Sequence, residues 1–114
     1  VAQYKKLDFL LSYKRSLAKN YYNFFKDDHP GFFVERKDTH ANYWLNALIC
    51  SNYEEREEFL IGLNANGIEA RPIWRLMYKL KMFSECIKGE TPNSEYLEER
   101  IINLPSGVPS HEAP

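Results

Sequence analysis

The stretch from Ile68 to Trp74 carries the side chains best suited to ligand binding in this sequence. Arg71 has a planar guanidinium, which beside a cleft could hold a carboxylate or a phosphate through two hydrogen bonds. Trp74 could stack its indole on a sugar or a base. Each residue also has a structural interpretation, because Arg71 could pair with Glu69 on an exposed strand and Trp74 could fill a domain interface. The residue types alone leave both interpretations open.

Other residues capable of catalysis or metal binding do not form clusters. Asp27 and Asp28 resemble a catalytic carboxylate pair, but beside a proline at the end of a predicted helix they are typical of a solvated turn. The histidines lie far apart, without a second ligand at useful spacing, and predict no metal site. They are His29, His40 and His111. Cys50 and Cys86 also lack metal-ligand spacing, and we expect reduced, structural thiols, with a single disulfide as the alternative.

Length and charge restrict the class of protein. A chain of 114 residues fits one domain that can bury a core but is small for most complete enzymes. A net charge of -1 argues against a dedicated nucleic-acid or anionic-membrane surface. No apolar run approaches the length of a membrane span. The sequence opens at Val1 without an initiator methionine or a leader, and we expect a piece of a longer protein.

Two helices dominate the predicted elements. Apolar residues recur at spacings of three and four over residues 2–28, with basic residues on the other faces, which predicts one long amphipathic helix. Pro30 and Gly31 end it. Ser51 and Glu54 match a capping box that opens a second helix, which the Asn-Gly pair at 66–67 stops.

The remaining elements are short. Aromatic and apolar runs predict strands over 31–35 and 43–50, the second with Trp44 in the core. A third strand is predicted over 68–74, where Pro72 either breaks it or confines it to a sheet edge. The C-terminal third is predicted to hold short helices over 76–83 and 95–101, the second capped by Asn93 or Ser94, and an extended segment over 102–105. This order indicates an α+β fold of two layers, a small sheet covered by helices on one face.

Three phrases, in this order, resemble one known family. They are Asn42-Tyr43-Trp44-Leu45, then Gly67-Ile68-Glu69-Ala70-Arg71-Pro72-Ile73-Trp74 with Leu76-Met77, and Glu99-Arg100-Ile101-Ile102-Asn103-Leu104-Pro105-Ser106. Together they are similar to the C-terminal part of the DegT/StrS family of pyridoxal-phosphate-dependent sugar aminotransferases. The run from Arg71 to Met77 most resembles enzymes acting on bacillosamine-, perosamine- or legionaminic-type precursors. The opening segment, with Leu7 and Arg15, resembles the family's linker helix.

The resemblance implies the small C-terminal domain of a fold type I pyridoxal phosphate enzyme, aspartate-aminotransferase-like, with a mainly antiparallel three-stranded sheet. This domain covers residues 1–105 and includes a linker helix over 1–28. Residues 106–114 then form a tail. In this family pyridoxal phosphate binds a lysine of a large domain. Glutamate then supplies the amino group for a nucleotide-linked 4-keto-6-deoxy sugar used in surface polysaccharides. No phrase here matches the family's cofactor-lysine motif, which implies no catalytic residue, no bound cofactor and no activity in this chain alone.

The resemblance also implies substrate contacts from Arg71, Trp74 and Tyr78, packing on the large domain, and a cytoplasmic homodimer that binds neither nucleic acid nor membrane. Tyr78 departs from the pattern, since many relatives carry a histidine shortly after the tryptophan, and the role of that histidine does not transfer. The alternative is an autonomous regulatory module whose aromatic surface binds a protein or nucleic acid. A domain separated from its large partner is expected to expose an apolar patch and to self-associate through it.

Overall fold

The long N-terminal helix is confirmed in a computed structural model that describes residues 4–27 and 31–109. A 3-10 turn over Tyr4–Lys6 leads into helix α1, Leu7–Phe25. The predicted ends at 2–3 and at 28 lie outside the described residues. Tyr21 on this helix packs against the core, and its hydroxyl donates a hydrogen bond of 3.0 Å to the carbonyl of Pro105. This bond ties the first helix to the end of the last strand.

The sheet has three antiparallel strands, as predicted for the fold class. They are β1 (Asn46–Ile49), β2 (Arg71–Pro72) and β3 (Ile101–Leu104), in the order β1-β3-β2. The last strand in sequence is therefore central in space. Pro72 lies on the edge strand, as expected of a residue without a backbone N–H, although β2 is much shorter than the predicted 68–74.

The predicted strand over 31–35 is wrong beyond a single bridge. Phe32 pairs with Leu48, and Phe33 N donates to the carbonyl of Ala47 at 2.9 Å. The chain comes close here because Gly31 has no side chain, since a Cβ on it would lie 1.9 Å from the carbonyl oxygen of Ile49. Pairing then stops because the N–H of Glu35 donates instead to the hydroxyl of Tyr43.

Helix α2 spans Tyr53–Ala65, and its capping box lies one residue later than predicted. The side-chain oxygen of Asn52 accepts a hydrogen bond of 2.8 Å from Glu55 N, and the Glu55 carboxylate accepts one of 2.5 Å from Ser51 N. The predicted stop is confirmed, because Gly67 has a φ of 76° and Ile68 N donates back to Leu63 O.

The C-terminal helices also differ from the prediction. In place of a helix over 76–83 there are two 3-10 turns, Met77–Lys79 and Lys81–Phe83, separated by the extended backbone of Leu80. Helix α3 spans Pro92–Glu98 rather than 95–101. It starts at Pro92 because proline's fixed φ and missing N–H suit the first helical position, so neither Asn93 nor Ser94 is the cap.

The core lies between the sheet and the first two helices. Its buried residues are Phe32, Leu48, Cys50, Ala70, Ile102 and Leu104, with Tyr21 and Phe25 of α1 and Phe59, Leu60 and Leu63 of α2 packed against them. Both cysteines are free, as expected. Burial raises the pKa of the Cys50 thiol to about 11, which makes it an inert part of the core. Within residues 4–27 and 31–109, no helix is both long and apolar enough to cross a membrane.

Candidate functional site

Arg71 lies on the face of the sheet that points away from this core. Leu48 and Ile102 are fully buried on the core side, and the neighbouring row of the register, Ala47, Asn103 and Arg71, therefore points to the opposite side. Arg71 is exposed, and its side chain makes no ion pair with Glu69 or with any other residue in the described part of the chain. The guanidinium is consequently open to a ligand or to another protein surface.

Asn103 was missed by the sequence-based prediction. It lies directly opposite Arg71 in the register and is half-buried beside it. The sequence contained a signal for this residue, because Asn103 is the one polar residue in the strand Ile-Ile-Asn-Leu. A side-chain amide can both donate and accept hydrogen bonds, which adds directional recognition next to the cation.

Trp74 forms a pair with Trp44, the residue predicted to lie in the core. The ring centroids are 5.7 Å apart with an interplanar angle of 30°, and the residues are 64% and 63% exposed. The core prediction for Trp44 is wrong because β1 begins only at Asn46, whose backbone and side-chain N–H groups both donate to the buried Ser106 hydroxyl. Trp44 lies in the bend before the strand.

Trp44 lies close to one end of the row that holds Arg71. Trp44 lines a depression of about 240 Å³ together with Ala47, which belongs to the row of Arg71 and Asn103. The helices occupy the other side, and neither tryptophan is among the residues that pack on the core there. The row that points away from the core thus carries an open guanidinium and an amide, and the exposed indole pair is a separate feature next to its Ala47 end.

A charged network holds the loop before Trp44 against α1. The guanidinium of Arg15 donates to both carboxylate oxygens of Glu35, at 3.1 and 2.5 Å, and to the carbonyl of Ala41 at 2.6 Å. Glu35 also accepts a hydrogen bond from Ala41 N, and Arg15 lies 5.6 Å from the ring centre of Tyr43. The Arg15 hydrogen bond, with that from Ala41, lowers the pKa of Glu35 to about 2. The loop is therefore fixed by a carboxylate that stays ionised.

Lys14 holds the backbone of Trp44 in place. Lys14 Nζ donates to the carbonyl of Ser106 at 2.7 Å and to that of Trp44 at 3.4 Å. Partial burial lowers the pKa of Lys14 from its usual value. The backbone that presents the indole is thus attached both to α1 and to the segment after β3.

Tyr78, the third predicted binding residue, is engaged within the chain. Its hydroxyl donates to the Glu95 carboxylate, and the ammonium of Lys88 lies 3.9 Å from its ring centre. The hydrogen bond to Glu95 raises the pKa of Tyr78. Its hydrogen-bond and cation–π partners are Glu95 and Lys88, and neither Arg71 nor Trp74 is among them.

The turn between Trp74 and Tyr78 is anchored on α3. Glu98 accepts a hydrogen bond of 2.8 Å from Leu76 N and pairs with the ammonium of Lys79. Burial acts to raise the pKa of Glu98, but the hydrogen bonds from Lys79 and Leu76 outweigh it and leave the pKa lowered. The carboxylate remains charged and holds the segment that follows Trp74.

A charged cleft of about 800 Å³ lies beside this anchor and was not predicted from the sequence. Its lining residues are Asn52, Tyr53, Glu54, Arg56, Pro72, Ile73, Arg75, Lys79, Glu98, Glu99 and Arg100. Most of its charges are satisfied internally, because Lys79 pairs with Glu98, Arg100 with Glu99, and Arg56 with the neighbouring Glu57. Among the residues that the structure describes, no cluster of His, Cys, Asp or Glu could hold a metal ion.

Comparison with known proteins identifies the family and the fold. The family model described as the DegT/DnrJ/EryC1/StrS aminotransferase family matches residues 1–112. GDP-perosamine synthase of Escherichia coli O157:H7 is 34% identical over 109 residues, which cover 93% of this chain and 29% of that protein. GDP-perosamine synthase of Vibrio cholerae is 30% identical over 109 residues, covering 93% of this chain and 30% of that protein. The chain thus spans less than a third of either relative.

Two solved structures share the fold. Helicobacter pylori PseC, an aminotransferase involved in the biosynthesis of pseudoaminic acid, superposes with a TM-score of 0.75 at 23% identity, over 91% of this chain and 29% of that one. The sugar aminotransferase CalS13 from Micromonospora echinospora superposes with a TM-score of 0.70 at 19% identity, over 93% of this chain and 28% of that one. The predicted fold class and family resemblance are both confirmed.

Proposed function

The chain belongs to the DegT/DnrJ/EryC1/StrS aminotransferase family, and from this membership we propose that it is the C-terminal small domain of a nucleotide-sugar aminotransferase. The intact protein transfers an amino group from glutamate, by way of pyridoxal phosphate, to a nucleotide-linked 4-keto-6-deoxy sugar for surface polysaccharide synthesis in the cytoplasm. The observation that carries this proposal is the match itself, which covers almost the whole chain but under a third of the relatives named GDP-perosamine synthase.

The lysines of the chain do not fit a pyridoxal phosphate site. A lysine that forms a Schiff base must lose its proton, but the hydrogen bond from Lys79 to Glu98 raises the pKa of that lysine and keeps it charged. Lys14 has a lowered pKa, yet its ammonium is held by two backbone carbonyls. The other lysines are exposed on the surface. We place the cofactor lysine in the part of the relatives' length that this chain does not match.

The chain's proposed part in the enzyme is to line one side of the substrate cleft. Arg71 and Trp74 are both exposed and are available for substrate. Tyr78 contributes by fixing the turn after Trp74, because its hydroxyl is already bonded to Glu95. The surface around these residues packs on the large domain and on a second subunit. The domain extends through Ser106, which is buried against Asn46, and the tail follows it.

The test is to obtain the full reading frame that contains this sequence and to express its product. A product about three times longer, which gains visible absorbance with pyridoxal phosphate and loses it on addition of glutamate, is the expected result. A start codon immediately before Val1, with a product that binds no cofactor, would contradict the proposal. That outcome would favour the autonomous binding module, for which the exposed indole pair is the supporting observation.

A further inference from the structure

Residues 75–90, which we call the strap, connect β2 to α3 and lie outside both the sheet and the core. The sheet ladder ends before the strap, with the hydrogen bond of 3.2 Å from Ile73 N to Ile101 O. In the described part of the chain, the backbone hydrogen bonds of the strap are all local and join residues within 76–86. No strap side chain is among the residues that form the core or pack against it. Side-chain contacts must therefore attach the strap to the domain.

Two carboxylates of α3 provide this attachment. The hydrogen bonds and ion pairs that lead from the strap to other described residues all end on Glu95 or Glu98. The bound groups are the N–H of Leu76 at 2.8 Å and the ammonium of Lys79 for Glu98, and the hydroxyl of Tyr78 and the ammonium of Lys88 at 3.8 Å for Glu95. The two carboxylates are three positions apart and so share one face of α3. Because α3 leads directly into the central strand, both are fixed to the sheet.

Apolar burial contributes little to holding the strap. Its side chains Met77, Met82 and Ile87 are exposed, and Leu80 and Phe83 are no more than half-buried. The backbone of Leu80 is extended between the two 3-10 turns, so the strap has no continuous helix of its own. Segments with few buried apolar contacts open at a lower free energy than the core of a domain.

We propose that the strap opens and closes as one unit while the sheet stays folded, and that Glu95 and Glu98 hold it closed. Arg75 and Lys79 line the charged cleft together with Glu98. Opening takes both cations out of the wall of the cleft and leaves the Glu98 carboxylate open to solvent. The strap thus gates the cleft between α2, β2 and α3. This inference goes beyond the proposed function and does not depend on it, because every contact that carries it lies within the chain.

Amide hydrogen exchange of the ¹⁵N-labelled chain measures the opening residue by residue. The strap amides that donate a hydrogen bond are those of Lys79, Leu80, Phe83, Ser84 and Cys86. The amide of Cys50, which donates to Arg100 O at 2.9 Å, reports on the sheet. We expect the strap amides to share one opening constant, the ratio of open to closed forms. It should exceed the constant for Cys50 by roughly tenfold or more.

Removing either carboxylate should favour the open strap. We expect Glu98→Ala and Glu95→Ala each to raise the shared opening constant about tenfold, as for the loss of a charge-assisted hydrogen bond, and to leave Cys50 unchanged. Because the strap opens as a unit, E95A should also accelerate exchange at Lys79, whose own partner is Glu98. Glu98→Gln, which keeps an acceptor for Leu76 N but loses the charge, should have a smaller effect than E98A.

Glu90→Ala is the matched control, because it removes an exposed carboxylate from the strap itself, and it should change no exchange rate. Four outcomes would overturn the proposal. Strap amides as slow as Cys50 in the wild-type chain would exclude a separate opening, and equal acceleration of Cys50 in E98A would make the strap part of the cooperative fold. Acceleration confined to the amides next to the removed carboxylate would exclude a single unit. An equal effect of E90A would exclude a specific role for Glu95 and Glu98.

Discussion

The carboxylate of Glu35 is only partly exposed, and it joins α1 to the loop that presents Trp44. Its pKa is about 2, against an ordinary 4.5, since Arg15 and the N–H of Ala41 bind the charged form. A group with a depressed pKa in the folded state stabilises the fold above its unfolded-state pKa and loses that contribution as the pH falls through the folded-state value. The contribution of Glu35 should therefore be complete above pH 4.5 and disappear towards pH 2.

We accordingly expect the thermal midpoint of the wild-type chain to fall more steeply between about pH 4.5 and pH 2 than that of E35Q, measured by circular dichroism. At neutral pH, E35Q should unfold at the lower temperature. Glu58→Gln, an exposed change on α2, is the control and should follow the wild-type curve. Parallel pH profiles for wild type and E35Q would show that the Arg15–Glu35 pair does not stabilise the fold.

Individual residues were only partly predictable from the sequence. Arg71 and Trp74 were chosen as candidates for their side-chain chemistry, and the structure leaves both exposed, while their binding role stays a prediction. Trp44 was misplaced because an apolar residue beside a strand is typical of a core, and nothing local shows that Asn46 takes the buried position through the hydroxyl of Ser106. That hydrogen bond joins residues 60 positions apart.

At the scale of elements, the start of α2 shows how a local pattern can be correct in kind and displaced by one residue. Ser51 with Glu54 and Asn52 with Glu55 both fit a capping box, and the sequence does not choose between them. In the structure the Asn52 side chain caps the helix, while Ser51 contributes its backbone N–H to Glu55. Packing of Phe59, Leu60 and Leu63 on the core fixes the helix phase, and with it the cap.

The shifted cap leads to a specific expectation. Asn52→Ala should lower the free energy of unfolding by about 1 kcal/mol, the usual cost of losing a side-chain N-cap, measured by urea denaturation. Ser51→Ala should cost much less, because only its main chain takes part. A larger loss of unfolding free energy in S51A than in N52A would show that Ser51, the residue that the sequence pattern indicated, is the cap.

The extent of each strand was hard to predict for the same non-local reason. The run over 31–35 has the composition of a strand, but its ladder ends where Glu35 turns to Arg15 and Tyr43. The segment over 68–74 pairs as β2 only at 71–72, with one further hydrogen bond from Ile73 N to Ile101 O. Composition predicts that a segment prefers to be extended, whereas the partner strand decides how much of it pairs.

For the whole molecule, the proposed division of labour with a large domain can be tested on the chain itself. Pyridoxal phosphate should not raise the thermal midpoint of the chain, because a ligand stabilises only a fold that has a site for it. The measurement is a melting series at increasing cofactor concentration, with inorganic phosphate as the matched control anion. A saturable increase of the thermal midpoint that is specific to pyridoxal phosphate would place a cofactor site within these residues. It would contradict the inference that Lys14 and Lys79 do not bind the cofactor.

The α+β class, the long leading helix and the edge position of Pro72 were all predictable at this scale. Hydrophobic periodicity and turn residues determine them locally. The strand order was not predictable from these signals, since it depends on which distant segments meet. The charged cleft between α2, β2 and α3 was missed for the same reason, because its basic and acidic residues come from four separate stretches of sequence.

The central position of β3 has a consequence for the order in which the protein is made. Neither β1 nor β2 pairs with the other, and both require Ile101–Leu104, which leaves the ribosome after every other strand and helix that the structure describes. Until then, the apolar faces of α1 and α2 have no sheet to cover. Pairing between residues as distant as Asn46 and Leu104 is also slow to form. Chains stopped before residue 101 should thus be substrates for chaperones and proteases rather than shorter versions of the domain.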